Sequence, residues 1–502
     1  MHEFSLEQLA AWSHAEVLNT QGPFGQWPVS GISCDSRTIK PGMLFVALHG
    51  ERFDGHQFIG QALSRGAGAV LIDDQKAIQS IPQEKQIPVL LVEDTTKALQ
   101  ALASGYRQQL GGKVIAVTGS VGKTSTRQMI ASCLYPAMHV HQAEGNLNNE
   151  IGLPQTLLSA DPSSEAIVLE MGMRGPGEIE LLSRIANPDL AVITCIGWSH
   201  IGRLGSREAI LSAKWEILSG LRRDGLILLN ADDPLLMQAA KQLPEENRLA
   251  FVCQTGQGLT KALSSDPLPK LILHAESIQV TEKQTTFCAR AIQPEQSADE
   301  SVFVTLPYPG AHHVRNALFG LAVARWLQVD LATAAAGAGV CGLVGNRQRI
   351  VQIHGVTIMD DSYNASPESM EAAFEALSLL AGGNRKIAAL GCMQELGPFS
   401  SEAHRQVGEL AAKHGFSLLL VYGPEGEDYL IGARSLTPDL PSCVCQDQNE
   451  MTERLAAAAK PGDFILIKGS RAFFMENVVL QLTKRLDEKS GRHLAAEGER
   501  HS

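Results

Sequence analysis

Val114-Ile-Ala-Val-Thr118-Gly119-Ser-Val-Gly122-Lys123-Thr124 runs from four apolar residues into a glycine-rich turn closed by Lys-Thr. The run Val114 to Val117 suits a parallel strand covered on both faces. Lys123 to Ile130 reads as the start of a helix. A strand, a short loop with two glycines and a helix N-terminus aim backbone N–H groups at phosphate oxygens. Glycine lets the chain turn sharply and approach the phosphates. Thr118, Gly119, Ser120, Val121, Gly122, Lys123 and Thr124 are therefore the candidate cradle for a nucleoside triphosphate. Lys123 is expected to neutralise the β- and γ-phosphates, and the Thr124 hydroxyl to ligate Mg²⁺. The usual phosphate-loop pattern has a glycine five positions before the second one, and Val117 stands there instead. A chance glycine-rich turn is the competing reading.

Outward from this loop the rhythm is strand and helix in alternation. Ala166–Leu169, Leu190–Ile193 and Leu226–Leu229 are further apolar runs, and residues 271 to 305 have the Thr, Val, Phe and Gln content of an antiparallel extension. Ile387–Leu390, Leu418–Val421 and Phe464–Ile467 predict a second doubly wound sheet. Upstream, Gly42–Leu48, Ala69–Ile72 and Val89–Val92 read as strands of a mixed region. The expected fold class is α/β with three units: 1–98, 99–336 and 337–502. The last, polar stretch from Asp487 is expected to be frayed.

A chain of 502 residues is too long for one core, which agrees with several units. Its 44% hydrophobic and 19% charged residues are those of an ordinary globular protein. A net charge of −12 argues against a general nucleic-acid binder. The nine cysteines contain no Cys-x-x-Cys pair, so neither a zinc site nor a disulfide framework is indicated. No basic region precedes an apolar run at the start, and no apolar stretch reaches membrane-spanning length. A cytoplasmic location is expected.

Glu170 directly follows the run Ala166–Leu169, at the strand end where open α/β sheets bind ligands. His200, in Ile196-Gly-Trp-Ser-His200, is an unusual neighbour for Mg²⁺, which prefers oxygen; on its residues alone it reads as solvent-facing or structural. Lys214, in Ser-Ala-Lys214-Trp-Glu-Ile, reads on its residues alone as a surface lysine near Glu216.

Several segments together resemble the Mur ligases of bacterial cell-wall synthesis. They are the short Gly-x-x-Gly-Lys-Thr loop, Gly145-Asn-Leu-Asn-Asn-Glu-Ile-Gly152, His312-His-Val-Arg-Asn316-Ala-Leu, Asp360-Asp-Ser-Tyr-Asn-Ala-Ser-Pro367, Leu390-Gly-Cys-Met-Gln-Glu-Leu-Gly397, Lys468-Gly-Ser-Arg471 and Cys34-Asp-Ser-Arg37. The resemblance runs from about residue 30 to about residue 480. It implies an N-terminal UDP-sugar-binding domain, a central ATP-binding domain and a C-terminal Rossmann-like domain. It implies ATP and Mg²⁺ as cofactors. Thr124, Glu170, His200 and a carbamylated Lys214 would surround the metal, and Lys123, Lys214 and His200 would be catalytic. Asn316 would contact the adenine, and Arg347, or Arg349 in its place, is expected at a nucleotide phosphate. Ser36, Arg37, Asn148, Asn149, Asp361, Tyr363 and Asn364 would bind substrate. His313 replaces a more usual Asn, and Cys392 a more usual Asp that could shape the acceptor site.

The Asp-Ser-Tyr-Asn element points within the family to joining D-alanyl-D-alanine to UDP-N-acetylmuramoyl-tripeptide. The resemblance implies an acyl-phosphate intermediate and closure of the C-terminal unit over the central one. A monomer with small-molecule partners, no nucleic acid and no membrane span is expected. Two alternatives stay open: a ligase of this scaffold adding a single amino acid, including the folylpolyglutamate type, and a non-catalytic nucleotide-binding regulator.

Overall fold

The computed structural model describes residues 3–19, 27–50, 54–82, 87–143, 145–244, 248–294, 299–343 and 345–498. Three sheets of five, nine and six strands carry the chain, beside a two-stranded pair. In the nine-stranded sheet the phosphate-loop strand Lys113–Thr118 lies between Ala166–Glu170 and Leu190–Ile193, all parallel. Its four apolar residues and threonine are buried on both faces, as an uninterrupted apolar run requires. Leu226–Asn230, Arg248–Cys253 and Leu271–Val280 continue the parallel order, and Val140–Gln142 forms the far edge. Thr285–Ile292 and Glu300–Leu306 then add on antiparallel, the extension expected from their composition.

The six-stranded sheet has the order Arg349–Ile353, Val356–Asp361, Phe464–Lys468, Lys386–Gly391, Leu418–Tyr422, Ser442–Cys445, and only the first pair is antiparallel. The five-stranded N-terminal sheet includes Leu44–Val46, Ala69–Ile72 and Val89–Leu91. The final helix, Glu476–Gly498, extends well past Asp487, where a frayed tail was expected. Its Lys, Arg, Leu, Glu and Ala residues favour helix despite their polarity.

Both expected cuts fall inside helices. Residue 98 lies in Thr95–Arg107, which packs on the N-terminal helix Leu6–Ser13 and on two helices of the central unit. Tyr106 meets Phe4 edge-on at 5.0 Å, while buried Arg107 reaches Asp189 at 2.9 Å and the carbonyl of Ala186. This helix therefore belongs to both units. Residue 336 lies in Leu331–Gly339, where Ser132 Oγ donates to Gly337 O and no side chain fits at Gly337. We propose cuts at about 110 and 342, in the loops that follow these helices.

Candidate active site

The loop expected to cradle phosphate has the required shape. Gly119 adopts φ +147°, and a Cβ there would fall 1.9 Å from Thr194 Oγ1. Gly122, at φ +86°, opens the helix Lys123–Leu134. Both positions need glycine. Lys123 Nζ donates to Gly119 O at 2.9 Å, folded back over the loop. Ser120 Oγ is buried with no hydrogen-bond partner. A buried hydroxyl without a partner costs stability, and a phosphate oxygen here would satisfy it. Thr118 differs from expectation: its hydroxyl donates to Met171 O at 2.9 Å, tying the loop to the next strand rather than facing a ligand.

Glu170 ends its strand opposite Val117 and is 2% exposed. Its Oε2 accepts from Thr124 Oγ1 at 2.8 Å and its Oε1 from Asn148 Nδ2 at 2.9 Å. Thr124 and Glu170 thus offer hard oxygen donors side by side, a set that fits Mg²⁺. Arg127, one turn beyond Lys123, is buried, donates to Gly145 O and lies 3.8 Å from Glu170. Sequence reasoning passed over Arg127, although a second cation at i+4 on a phosphate-loop helix was visible.

Burial pulls Lys123 below the usual lysine range, with the Glu170 charge acting in the opposite direction. Lys214 is held well below it, by burial first and then by the positive charge of Lys123. At 1% exposure it is not the surface lysine of the simpler reading. A buried amine of this kind is readily neutral, and a neutral amine is the form that adds CO₂.

A cleft of about 830 Å³ runs from this loop to the C-terminal unit. Its walls carry Ser120 to Thr124, Asn148, Glu170, Asn316, Arg347, Asp361, Tyr363 and Asn364. Arg347 crosses it, donating to Thr124 Oγ1 at 3.2 Å and stacking over the Tyr363 ring at 4.1 Å. Asn316 Oδ1 accepts from Thr126 Oγ1. Beside it the His312 and His313 rings lie 3.9 Å apart, and His313 Nε2 meets Gln348 Oε1 at 3.3 Å. Lys468 Nζ donates to Asp361 Oδ2 at 2.6 Å and to Asn364 O.

The loop Ile196–Gly202 forms the other junction with the C-terminal unit. Trp198 N–H donates to Glu368 Oε1, and its ring meets Phe399 edge-on. His200 Nδ1 is 2.5 Å from Glu395 Oε2, and Gly202 N–H donates to Glu395 O at 2.8 Å. Glu395 and Glu368 were not picked out from sequence, because nothing local marks a contact across some 170 to 195 residues.

Other expected residues lie elsewhere. Asn149 Oδ1 accepts from Gly152 N–H beside the first turn of the helix Gly152–Leu158, and Asn149 is not on the cleft wall. Ser36 is buried and donates to Gln61, while exposed Arg37 pairs with Asp35. Both belong to the N-terminal unit and not to the cleft wall. Cys392 is fully buried and off the cleft, where the Asp it replaces was expected to shape an acceptor site.

A phosphate loop, a carboxylate-hydroxyl pair at its helix and a second α/β sheet docked over both define an enzyme that spends a nucleotide's phosphate. Known proteins agree. The Mur ligase middle domain matches residues 117–324, the Mur ligase glutamate ligase domain 346–471, and the Mur ligase family catalytic domain 28–107. Over 480 residues the chain is 37% identical to the UDP-N-acetylmuramoyl-tripeptide--D-alanyl-D-alanine ligase of Bacillus subtilis (strain 168), covering 95% of this chain and 98% of that protein. The crystal structure of MurF from Acinetobacter baumannii superposes with a TM-score of 0.82 at 29% identity, covering 96% and 99%. MurF from Thermotoga maritima in complex with ADP does so at 0.74 and 29%, covering 91% and 98%. The chain belongs to the Mur ligase family and is an ATP-dependent ligase.

Proposed function

We propose that this chain joins D-alanyl-D-alanine to UDP-N-acetylmuramoyl-tripeptide at the expense of ATP, giving the UDP-muramoyl-pentapeptide precursor of peptidoglycan. The observation that carries the reading is the cleft, in which Lys123, Thr124 and Glu170 face Arg347 and Tyr363 of the C-terminal unit. The near full-length likeness to relatives of that activity supports the choice of substrates.

A carboxylate is a poor electrophile. Transfer of the γ-phosphoryl group of ATP to the tripeptide's terminal carboxylate gives an acyl phosphate and ADP. The loop N–H groups and Lys123 offset charge on the transferring group. The dipeptide amine then attacks the acyl carbon, phosphate leaves, and the amine's proton is lost to solvent or base. Mg²⁺, held by Thr124 and Glu170 and expected to be joined by His200 and carbamylated Lys214, would supply further charge neutralisation. Arg347 is assigned to the phosphates, Asn316 to the adenine, and Asn148, Tyr363 and Asn364 to the substrates at the cleft. Ser36 and Arg37 are assigned to the UDP end. Three reactants must meet in one dry space, so positioning contributes most of the rate. Among the described residues no helix is long and apolar enough to cross a membrane. A cytoplasmic monomer is part of the proposal.

The test is phosphate release with Mg-ATP and UDP-muramoyl tripeptide, comparing D-alanyl-D-alanine with single amino acids. Dipeptide-dependent release and a pentapeptide product by mass are expected. Release with a single amino acid only, or none with any acceptor, would replace this reading with one of the two alternatives.

A further inference from the structure

The phosphate loop and its oxygen donors come from the central unit, yet besides Arg347 a further contact to this region crosses from the other side. Glu395 follows the strand Lys386–Gly391 of the C-terminal sheet, and its Oε2 lies 2.5 Å from His200 Nδ1. Its backbone carbonyl accepts from Gly202 N–H at 2.8 Å. Gly202 and Gly397 pack so closely that a Cβ on either would strike the other's backbone. His200 and Glu395 both adopt left-handed backbone conformations, φ 69° and 63°. Non-glycine residues rarely do so, and such outliers gather where function over-determines the backbone. The pair is tied to the phosphate loop, since Ser199 Oγ donates to Ser120 O at 3.2 Å and the Glu395 charge acts on Lys123.

A histidine has two ring nitrogens, and the bond made by one sets the role of the other. Nδ1 stands against the Glu395 carboxylate at ion-pair distance without hydrogen-bond geometry; a proton held there would leave the lone pair on Nε2. We propose that Glu395 is a positioning residue for the cation site: a carboxylate delivered by the C-terminal unit that fixes the tautomer and rotation of His200, so that the site is complete only when the two units are docked. This rests on the assignment of His200 to the cation made above. It gives docking a chemical consequence, because the ligand set is then shared between one unit's histidine and the other unit's carboxylate behind it.

The test uses the full chain, Mn²⁺ in place of Mg²⁺ and a non-hydrolysable ATP analogue, read by electron paramagnetic resonance. The wild-type protein is expected to bind Mn²⁺ with nitrogen hyperfine coupling that His200→Ala abolishes. Glu395→Ala should weaken Mn²⁺ binding about 10- to 100-fold and reduce the coupling. Glu395→Gln keeps an acceptor for Nδ1–H and should fall between. Both variants retain the backbone bond to Gly202, and their analogue affinity without metal should match wild type. Mn²⁺ affinity within twofold of wild type in Glu395→Ala, with wild-type coupling present, would overturn this proposal and leave the reading of the cleft standing. Absence of nitrogen coupling in the wild-type protein would overturn the assignment of His200, and this proposal with it.

Discussion

Lys468→Met should unfold the C-terminal unit far more readily than its conservative volume suggests. Asp361 and Lys468 are neighbours in parallel register, on the second and third strands of the six-stranded sheet. Nζ donates to Oδ2 at 2.6 Å, and the side chains are only 2% and 9% exposed. Removing the cation leaves a carboxylate buried without its partner, which costs about 3–5 kcal/mol. At roughly 2–4 °C per kcal/mol for a unit of this size, the melting midpoint falls by about 6–20 °C. The double variant Asp361→Asn, Lys468→Met removes both charges and should recover most of the loss, with a coupling energy above about 2 kcal/mol. Urea unfolding followed by circular dichroism, for wild type, both singles and the double, measures it. A loss under about 1 kcal/mol in Lys468→Met, or additive singles, would refute the argument that burial makes this pair interdependent. Activity of the refolded double variant separates the two roles of Asp361: a stable but inactive double would show that the carboxylate also serves substrate.

Burial holds His313 down from 6.5 to about 4. The folded state therefore resists a proton that the unfolded chain takes up. Its stability is fully present above about pH 6.5 and falls as pH drops toward 4, by about 3 kcal/mol from this residue. The neighbouring His312, also pushed well down by burial, adds to the slope. His313→Asn should flatten the pH dependence of the urea midpoint, and an unchanged slope would contradict this. Lys214→Met removes a buried side chain whose protonated form burial disfavours, so melting should hold or rise while ligation falls at least about 100-fold; a large loss of stability with activity retained would reverse both assignments. Cys392, pushed up to about 12 by burial, should resist iodoacetamide at pH 8 until urea exposes it. Cys392→Ser should leave the dipeptide KM unchanged, and a changed KM would return this position to the acceptor site.

The strands were legible because parallel strands buried on both faces leave uninterrupted apolar runs, as Val114–Val117 and Leu226–Leu229 do. The phosphate loop was legible because its chemistry is local: two glycines, a lysine and a threonine within six residues. Lys214 showed its limits. Its neighbours in sequence suggest a surface, and only the packing of the helix Arg207–Trp215 buries it. The pairing of Asp361 with Lys468, and of His200 with Glu395, depends on sheet order and on docking of two units, neither of which spacing encodes. Asn149, expected at the substrate, has its Oδ1 engaged by Gly152 N–H. A short amide three residues before Gly152 is a good helix start, and that ordinary use competes with any ligand role.

The helix Thr95–Arg107 carries both contacts in its last turn, Tyr106 against Phe4 and Arg107 anchored to the central unit at Asp189. It acts as a splint. With the N-terminal and central units held by it, the span from Ser36 and Arg37, proposed for the UDP end, to the phosphate loop would be set by the protein. A donor gripped by its nucleotide end would then present a carboxylate to the phosphate loop only if its peptide stem matched that length. On that proposal the chain would measure its substrate as a gauge does, and a stem one residue short or long would fail by reach rather than by recognition.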